Sequence, residues 1–155
     1  MRFDTAHVDG TGYRLLVAWN QHLAEGPLDA GLRALVEARA SQINGCAFCL
    51  AMHLDEARSA GVEGVKLDAL AAWRDVHAFD DRERAALALT EAMTRLADGT
   101  GVADEVWSAA RDCFDDEELA CLLEVVAVIN AFNRLNITTQ RSAEDYLEYA
   151  RRRQG

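Results

Sequence analysis

The sequence predicts an all-α protein in one domain, and three observations carry that expectation. Proline occurs once in 155 residues, as Pro27, so long stretches keep every backbone donor available for helical hydrogen bonds. Apolar residues recur at three- and four-residue spacing along most of the chain, and no segment alternates with the period of two that a half-buried strand requires. The ten glycines fall mostly between these periodic segments, where turns and helix ends belong. The expected architecture is a bundle of about seven helices. A domain of this length buries roughly 68–70% of its unfolded surface, enough for a core without disulfide staples.

Residues 1–12 lack periodicity and end in Asp9-Gly10-Thr11-Gly12, so they read as an arm ahead of a helical domain spanning 13–155. Tyr13 to Glu25 forms the first helix, with Leu15, Leu16, Ala18, Trp19 and Leu23 on one broad face and Gly26-Pro27 as its stop. Residues 28–43 form the next, with Leu28, Leu32, Leu35, Val36, Ala40 and Ile43 at helical spacing. Asn44-Gly45 breaks it, and a helix from about Cys46 to Ala60 follows, closed by Gly61. Glu63 to Trp73 reads as one or two turns and residues 74–79 as a connector. Asp80 and Glu83 have capping-box spacing and open a helix expected to reach Asp98, before Gly99-Thr100-Gly101. Ala103 to Cys113 is amphipathic through Val106, Trp107 and Ala110. A second capping box, Asp115 to Glu118, opens the most apolar helix, expected to be buried on every side at the centre or in a subunit interface. Residues 143–153 suit a last amphipathic helix carrying Tyr146, Leu147 and Tyr149.

The net charge of −10 argues against nucleic acid or an anionic membrane as the main partner, because both call for a basic surface. The one basic run, Arg151-Arg152-Arg153, reads as a solvated helix C-terminus. Neither a basic-then-apolar leader nor an uninterrupted apolar run of membrane-spanning length is present in the sequence, so the expected compartment is the cytoplasm. There a closely spaced cysteine pair reads as redox-active or metal-binding.

The reactive residues concentrate between Ser41 and His53, where Cys46, Cys49 and His53 follow a C-x2-C-x3-H spacing. On a helix Cys49 lies about 60° from Cys46, and His53 about 20° from Cys46, so all three share one face. Placement in a first helical turn favours the thiolate through unpaired N–H groups and the positive end of the helix dipole. Burial of both cysteines as small apolar groups and a zinc site completed by an acidic side chain remain open alternatives. Cys113 and Cys121 lack paired spacing and default to the core, as do Trp73 and Trp107; His7, His22 and His77 default to the surface. Asn130, Asn133 and Asn136 recur every three residues on the apolar helix and favour a structural or interface role.

Ser41 to His53, followed by Glu56-Ala57-Arg58 and Gly61, closely resembles the AhpD-like alkylhydroperoxidases of the carboxymuconolactone decarboxylase superfamily. Weaker matches lie at residues 81–89 and 129–135. The resemblance implies an all-helical fold assembling as a homotrimer or homohexamer, with no metal or organic cofactor. It also implies a hydroperoxide substrate, Cys49 as the peroxidatic and Cys46 as the resolving cysteine, His53 in a proton relay, and recycling by a dithiol or a thiol-protein reductant. The cysteine pair favours this redox branch over decarboxylase-like lactone chemistry. A redox-sensing or binding module without turnover is a further reading. The glutamate that this branch commonly carries twelve residues before the first cysteine is Ala34 here. Glu37, about 60° round the same helix, is the first candidate to orient His53, and Glu91 the second.

Overall fold

In the computed structural model, which describes residues 1–99 and 101–154 without the side chains of 153 and 154, the chain forms nine α-helices and two short 3-10 segments. The helices are α1 (Thr5–Val8), α2 (Gly10–Ala24), α3 (Ala30–Asn44), α4 (Ala47–Ser59), α5 (Gly64–Asp68), α6 (Asp81–Thr94), α7 (Asp104–Cys113), α8 (Asp116–Thr138) and α9 (Ala143–Gln154). No strand occurs among the described residues. Thr100, at the centre of the expected Gly99-Thr100-Gly101 break, and the Arg153 side chain of the basic run lie outside the described residues.

α8 is the central helix and packs against α2, α3, α4 and α6. Its start is fixed by the expected capping box, in which Glu118 N–H donates to Asp115 at 2.8 Å and Asp115 N–H to Glu118 at 3.2 Å. α6 begins in the same way at Asp80 and Glu83. By length and composition α8 is apolar enough to cross a membrane, but the fold uses it as core: Leu122, Val125, Val126, Val128 and Ile129 are all buried.

α3 is equally enclosed, which its mixed composition conceals. Leu32 and Val36 pack with α2, α6 and α8, Leu35 and Ala38 pack towards Leu70, Trp73 and Leu87, and Ala40 reaches the cysteines. The polar residues between them are tolerated because they are paired. Arg39 donates to Glu91 at 2.8 Å and to Gln42 at 2.9 Å, while Glu91 also accepts from Trp73 Nε1 at 2.9 Å.

α3 ends and α4 begins within two residues. Gly45 adopts a left-handed conformation with φ 76°, its N–H donates to Gln42 O, and Cys46 N–H donates to Ser41 O at 3.0 Å. That is a Schellman turn. The residue that completes it, Cys46, is also the N-cap of α4.

Several boundaries differ from expectation. The arm is helical from Thr5 to Val8, and α2 starts at Gly10 rather than Tyr13, because Asp9 caps it by accepting Gly12 N–H at 3.1 Å. The Glu63–Trp73 segment splits into α5 and a 3-10 segment at Leu70–Asp75, kinked at Ala72. α6 ends at Thr94, with a 3-10 turn at Leu96–Asp98. Trp73 is buried as expected, but Trp107 is 42% exposed because α7 contributes Val106 and Ala110 to the core from its other face.

The arm is held to the far end of α8. Arg2 donates through its guanidinium to Thr138 O at 2.7 Å and through its backbone to Thr139 O at 2.8 Å, satisfying carbonyls at the helix terminus. Replacing Gly45 by alanine forces a side chain into the left-handed region and is expected to destabilise the fold by about 1–2 kcal/mol. Leu122→Ala, which opens a cavity in the core, is expected to cost about 2–5 kcal/mol. Urea denaturation of both variants measures these effects; a Gly45→Ala midpoint equal to wild type would show that the turn is not under this constraint.

Candidate active site

The turn places Cys46 at the N-cap of α4 and Cys49 in its first turn. The backbone N–H of Cys49 donates to Cys46 Sγ at 3.4 Å, and the two cysteines come within 2.6 Å of each other as free thiols. Both are buried. Asn136, from the last turns of α8, donates through Nδ2 to Cys49 Sγ at 3.2 Å.

These contacts separate the two thiols. Cys49 is lowered to about 6, chiefly by the hydrogen bond from the Cys46 thiol; burial works against this, and the Asn136 and Asn133 amides and His53 reinforce it. Cys46 is pushed strongly upward, first because it is the donor in that same bond and then by burial. These shifts favour a single proton on Cys46 and the negative charge on Cys49, in the first turn of a helix whose dipole suits a thiolate.

One turn further along α4, His53 is buried with Nδ1 between two carboxylates, 2.8 Å from Glu56 and 3.3 Å from Glu37. Glu37 is 1% exposed and reaches His53 from the facing helix α3. Burial raises its pKa, while His53 and Arg33, 3.5 Å away, pull it down. For His53 burial works against the charged form, but Glu37 and Glu56 outweigh it and the net shift is upward. His53 Nε2 is buried without a hydrogen-bond partner among the described residues.

The structure thus brings together all four expected site residues, Cys46, Cys49, His53 and Glu37. Ala34 is packed among apolar side chains, and Glu37, one helical turn on, supplies a carboxylate to His53. Glu91 is not at the site; it is held by Arg39, Arg74 and Trp73 on the other side of α3. Sequence reasoning missed Glu56 as a partner of His53, although its three-residue spacing on α4 was a readable signal. It also treated the three asparagines alike. Asn130 and Asn133 both accept from Asn44 Nδ2 and so brace the α3–α4 turn, while the Asn133 amide also acts on the cysteines and Asn136 donates directly to Cys49 Sγ. His7, His22 and His77 are exposed, Cys121 is buried, and Cys113 is only half-buried at the edge of α7.

Glu37, His53 and Glu56 offer three ligand atoms within 4.8 Å of one another, a spacing that a divalent ion could use. The short Nδ1 contact to Glu56 and the Arg33 guanidinium beside Glu37 instead suit a protonated imidazole held between carboxylates. In front of Cys49 and His53 lies a cavity of about 380 Å³, walled mainly by aromatic and aliphatic side chains.

Because Cys49 is lowered, its thiolate fraction, and with it the labelling rate by iodoacetamide, should rise with pH through about 6 and level off above. Cys46→Ala removes the largest cause of the shift and should move the midpoint towards the ordinary thiol value near 8.5, slowing labelling at pH 6 by about tenfold or more. Asn136→Leu should move it the same way by less. Mass spectrometry of the Cys49 peptide reads both; an unchanged midpoint in Cys46→Ala would refute the shared-proton arrangement.

Comparison with known proteins places these features in a family. The model of the carboxymuconolactone decarboxylase family matches residues 11–92. The uncharacterized protein YdfG of Bacillus subtilis (strain 168) is 32% identical over 126 residues, covering 81% of this chain and 85% of that protein. Among solved structures, a protein of unknown function from Agrobacterium tumefaciens superposes with a TM-score of 0.87 at 29% identity, over 91% of this chain and 96% of that one. An uncharacterized peroxidase-related protein from Ralstonia eutropha JMP134, described as an alkylhydroperoxidase AhpD core, shares the fold with a TM-score of 0.76 at 21% identity, over 92% and 77%. With the family match spanning more than half of the sequence, the chain is an AhpD-like member of the carboxymuconolactone decarboxylase family.

Proposed function

We propose that the protein is a thiol-dependent hydroperoxide reductase whose turnover runs through Cys49, Cys46, His53 and Glu37. The observation that carries this reading is a buried thiol lowered to about 6, 2.6 Å from a second cysteine and open to a largely apolar cavity. The Agrobacterium tumefaciens neighbour, described as a candidate antioxidant defence protein AhpD, supports the same class.

In the first step the Cys49 thiolate attacks the terminal oxygen of a hydroperoxide; the S–O bond forms, the O–O bond breaks, and the alkoxide leaves. His53, held protonated between Glu37 and Glu56, supplies the proton that makes the leaving group an alcohol. The sulfenic acid on Cys49 then condenses with the Cys46 thiol, releasing water and forming a disulfide. An external dithiol or thiol protein takes the oxidation away, so each cycle converts one hydroperoxide and two reducing equivalents into an alcohol and water. We place this chemistry in the cytoplasm, where such reductants are abundant. We also infer a homo-oligomer, a trimer or hexamer by likeness to the family, supported by the exposed Phe3, Val8, Leu15 and Trp19 at one end of the chain.

Addition of hydroperoxide should consume two thiols per chain in wild type and none from this pair in Cys49→Ser, and a dithiol should sustain turnover. Glu37→Gln should slow the oxidation by about tenfold or more. Thiol titration and a recycling assay decide the matter. Oxidation of Cys46 and Cys49 no faster than that of Cys113 would sink the peroxidase reading, and turnover of a lactone acid that survives loss of both cysteines would replace it.

A further inference from the structure

The cavity in front of Cys49 carries one feature that the reduction of a simple alkyl hydroperoxide does not use. Tyr13, Val17, Phe48, Met52, Ile129 and Phe132 make its wall apolar, and Arg141 also lines it. The Arg141 guanidinium lies 4.3 Å over the Phe48 ring, and among the described residues no carboxylate pairs with it. Arg33, Arg39, Arg74 and Arg82, by contrast, each sit on a carboxylate. Two acids line the same cavity, but both are engaged: Asp4 is the N-cap of α1, accepting His7 N–H at 3.2 Å, and Glu37 is held by Arg33 and His53. What sets Arg141 apart is its place: in a chain of net charge −10, a guanidinium with no carboxylate beside it faces the cavity that reaches Cys49, with the chemistry to receive an anion.

Its position is also tied to the reacting sulfur. α8 ends in a second Schellman turn, in which Gln140 takes a left-handed conformation with φ 56° and Arg141 N–H donates to Asn136 O at 2.9 Å. A non-glycine residue in that region is strained, and strain of this kind persists where the surroundings require it. Asn136 therefore holds Arg141 through its backbone and Cys49 through its side chain.

We propose that Arg141 receives a carboxylate on the substrate, so that this site takes organic hydroperoxides that combine an apolar body with a carboxylate. The inference rests on the hydroperoxide reductase reading and names its substrate class. The carboxylate pairs with the guanidinium, the apolar body fills the space between Phe48, Met52, Ile129 and Phe132, and the peroxide oxygen meets Cys49 beside His53.

The test compares cumene hydroperoxide carrying a para-carboxylate with its methyl ester, by stopped-flow loss of the Cys46 and Cys49 thiols. Wild type should react about tenfold or more faster with the acid than with the ester, as a charge-assisted contact implies. Arg141→Met should bring the ratio to about one, and Arg141→Lys should keep part of it. A second arm uses an unreactive acid, 4-isopropylbenzoate, which should protect Cys49 from iodoacetamide in wild type and not in Arg141→Met. Melting curves check that both variants are folded. Equal rates for acid and ester in wild type, or a preference that survives in Arg141→Met, overturns the proposal. If neither peroxide oxidises the pair but the benzoate still protects in an Arg141-dependent way, the carboxylate site stands and the reductase reading falls; no protection and no reaction removes both.

Discussion

The arrangement depends on one turn in which two helices share a residue. Gly45 reverses the chain with a left-handed backbone, and Cys46 both completes the hydrogen bonds that end α3 and caps α4. Because the reversal takes so few residues, α3 and α4 lie against each other along their length. Glu37, two turns before the end of α3, therefore faces His53, two turns into α4. The same geometry puts Ser41 beside the cysteines, with its hydroxyl donating to Glu37 O at 2.8 Å and accepting from Asn133 at 3.1 Å. Asn44 is bonded to two asparagines of α8, so the turn is anchored to the central helix as well as to itself.

Around that turn the fold buries ionisable groups that a core would otherwise exclude. Burial alone favours a neutral Glu37 and a neutral His53. Placing them together lets the imidazole hold its proton while the carboxylates balance the charge, and Arg33 extends the compensation to the surface side. Such a network is weak evidence for stability, since apolar groups of the same volume generally pack at least as well. Its position beside two thiols whose proton affinities are driven apart is what gives it a chemical reading. The opposition between Cys46 and Cys49 follows first from which sulfur donates, and then from the Asn136 and Asn133 amides and the His53 charge that favour the Cys49 thiolate.

Much of this was legible in the sequence because it is encoded locally. Helical phase put Cys46, Cys49 and His53 on one face, Asn44-Gly45 marked the reversal, and both capping boxes formed where their spacing placed them. Glu37 was reachable by the same phase argument once Ala34 was seen to lack a carboxylate. What escaped was set by tertiary context. α3 reads as a mixed, half-polar helix, yet it is enclosed because Arg39 and Glu91, 52 residues apart and in no local pattern, neutralise each other between α3 and α6. Three asparagines with identical spacing take different parts, Asn130 bracing the turn, Asn136 donating to Cys49 and Asn133 doing some of each, a distinction fixed only by how α8 is seated on α3 and α4. Trp107 resembled a core anchor but lies on the outer side of α7, since its neighbours Val106 and Ala110 already meet the core.

The cavity wall is built in part from the arm, through Asp4 and Ala6. α1 buries none of its residues, and the Arg2 contacts to the carbonyls ending α8 tie this segment down. Segments of that kind have the lowest local opening free energies in a folded protein, while amides of an enclosed helix exchange only through larger opening events. The cavity wall therefore joins the least buried helix of the chain to its most enclosed ones. Backbone amides of α1 are expected to exchange readily with solvent while those of α3 and α8 stay protected.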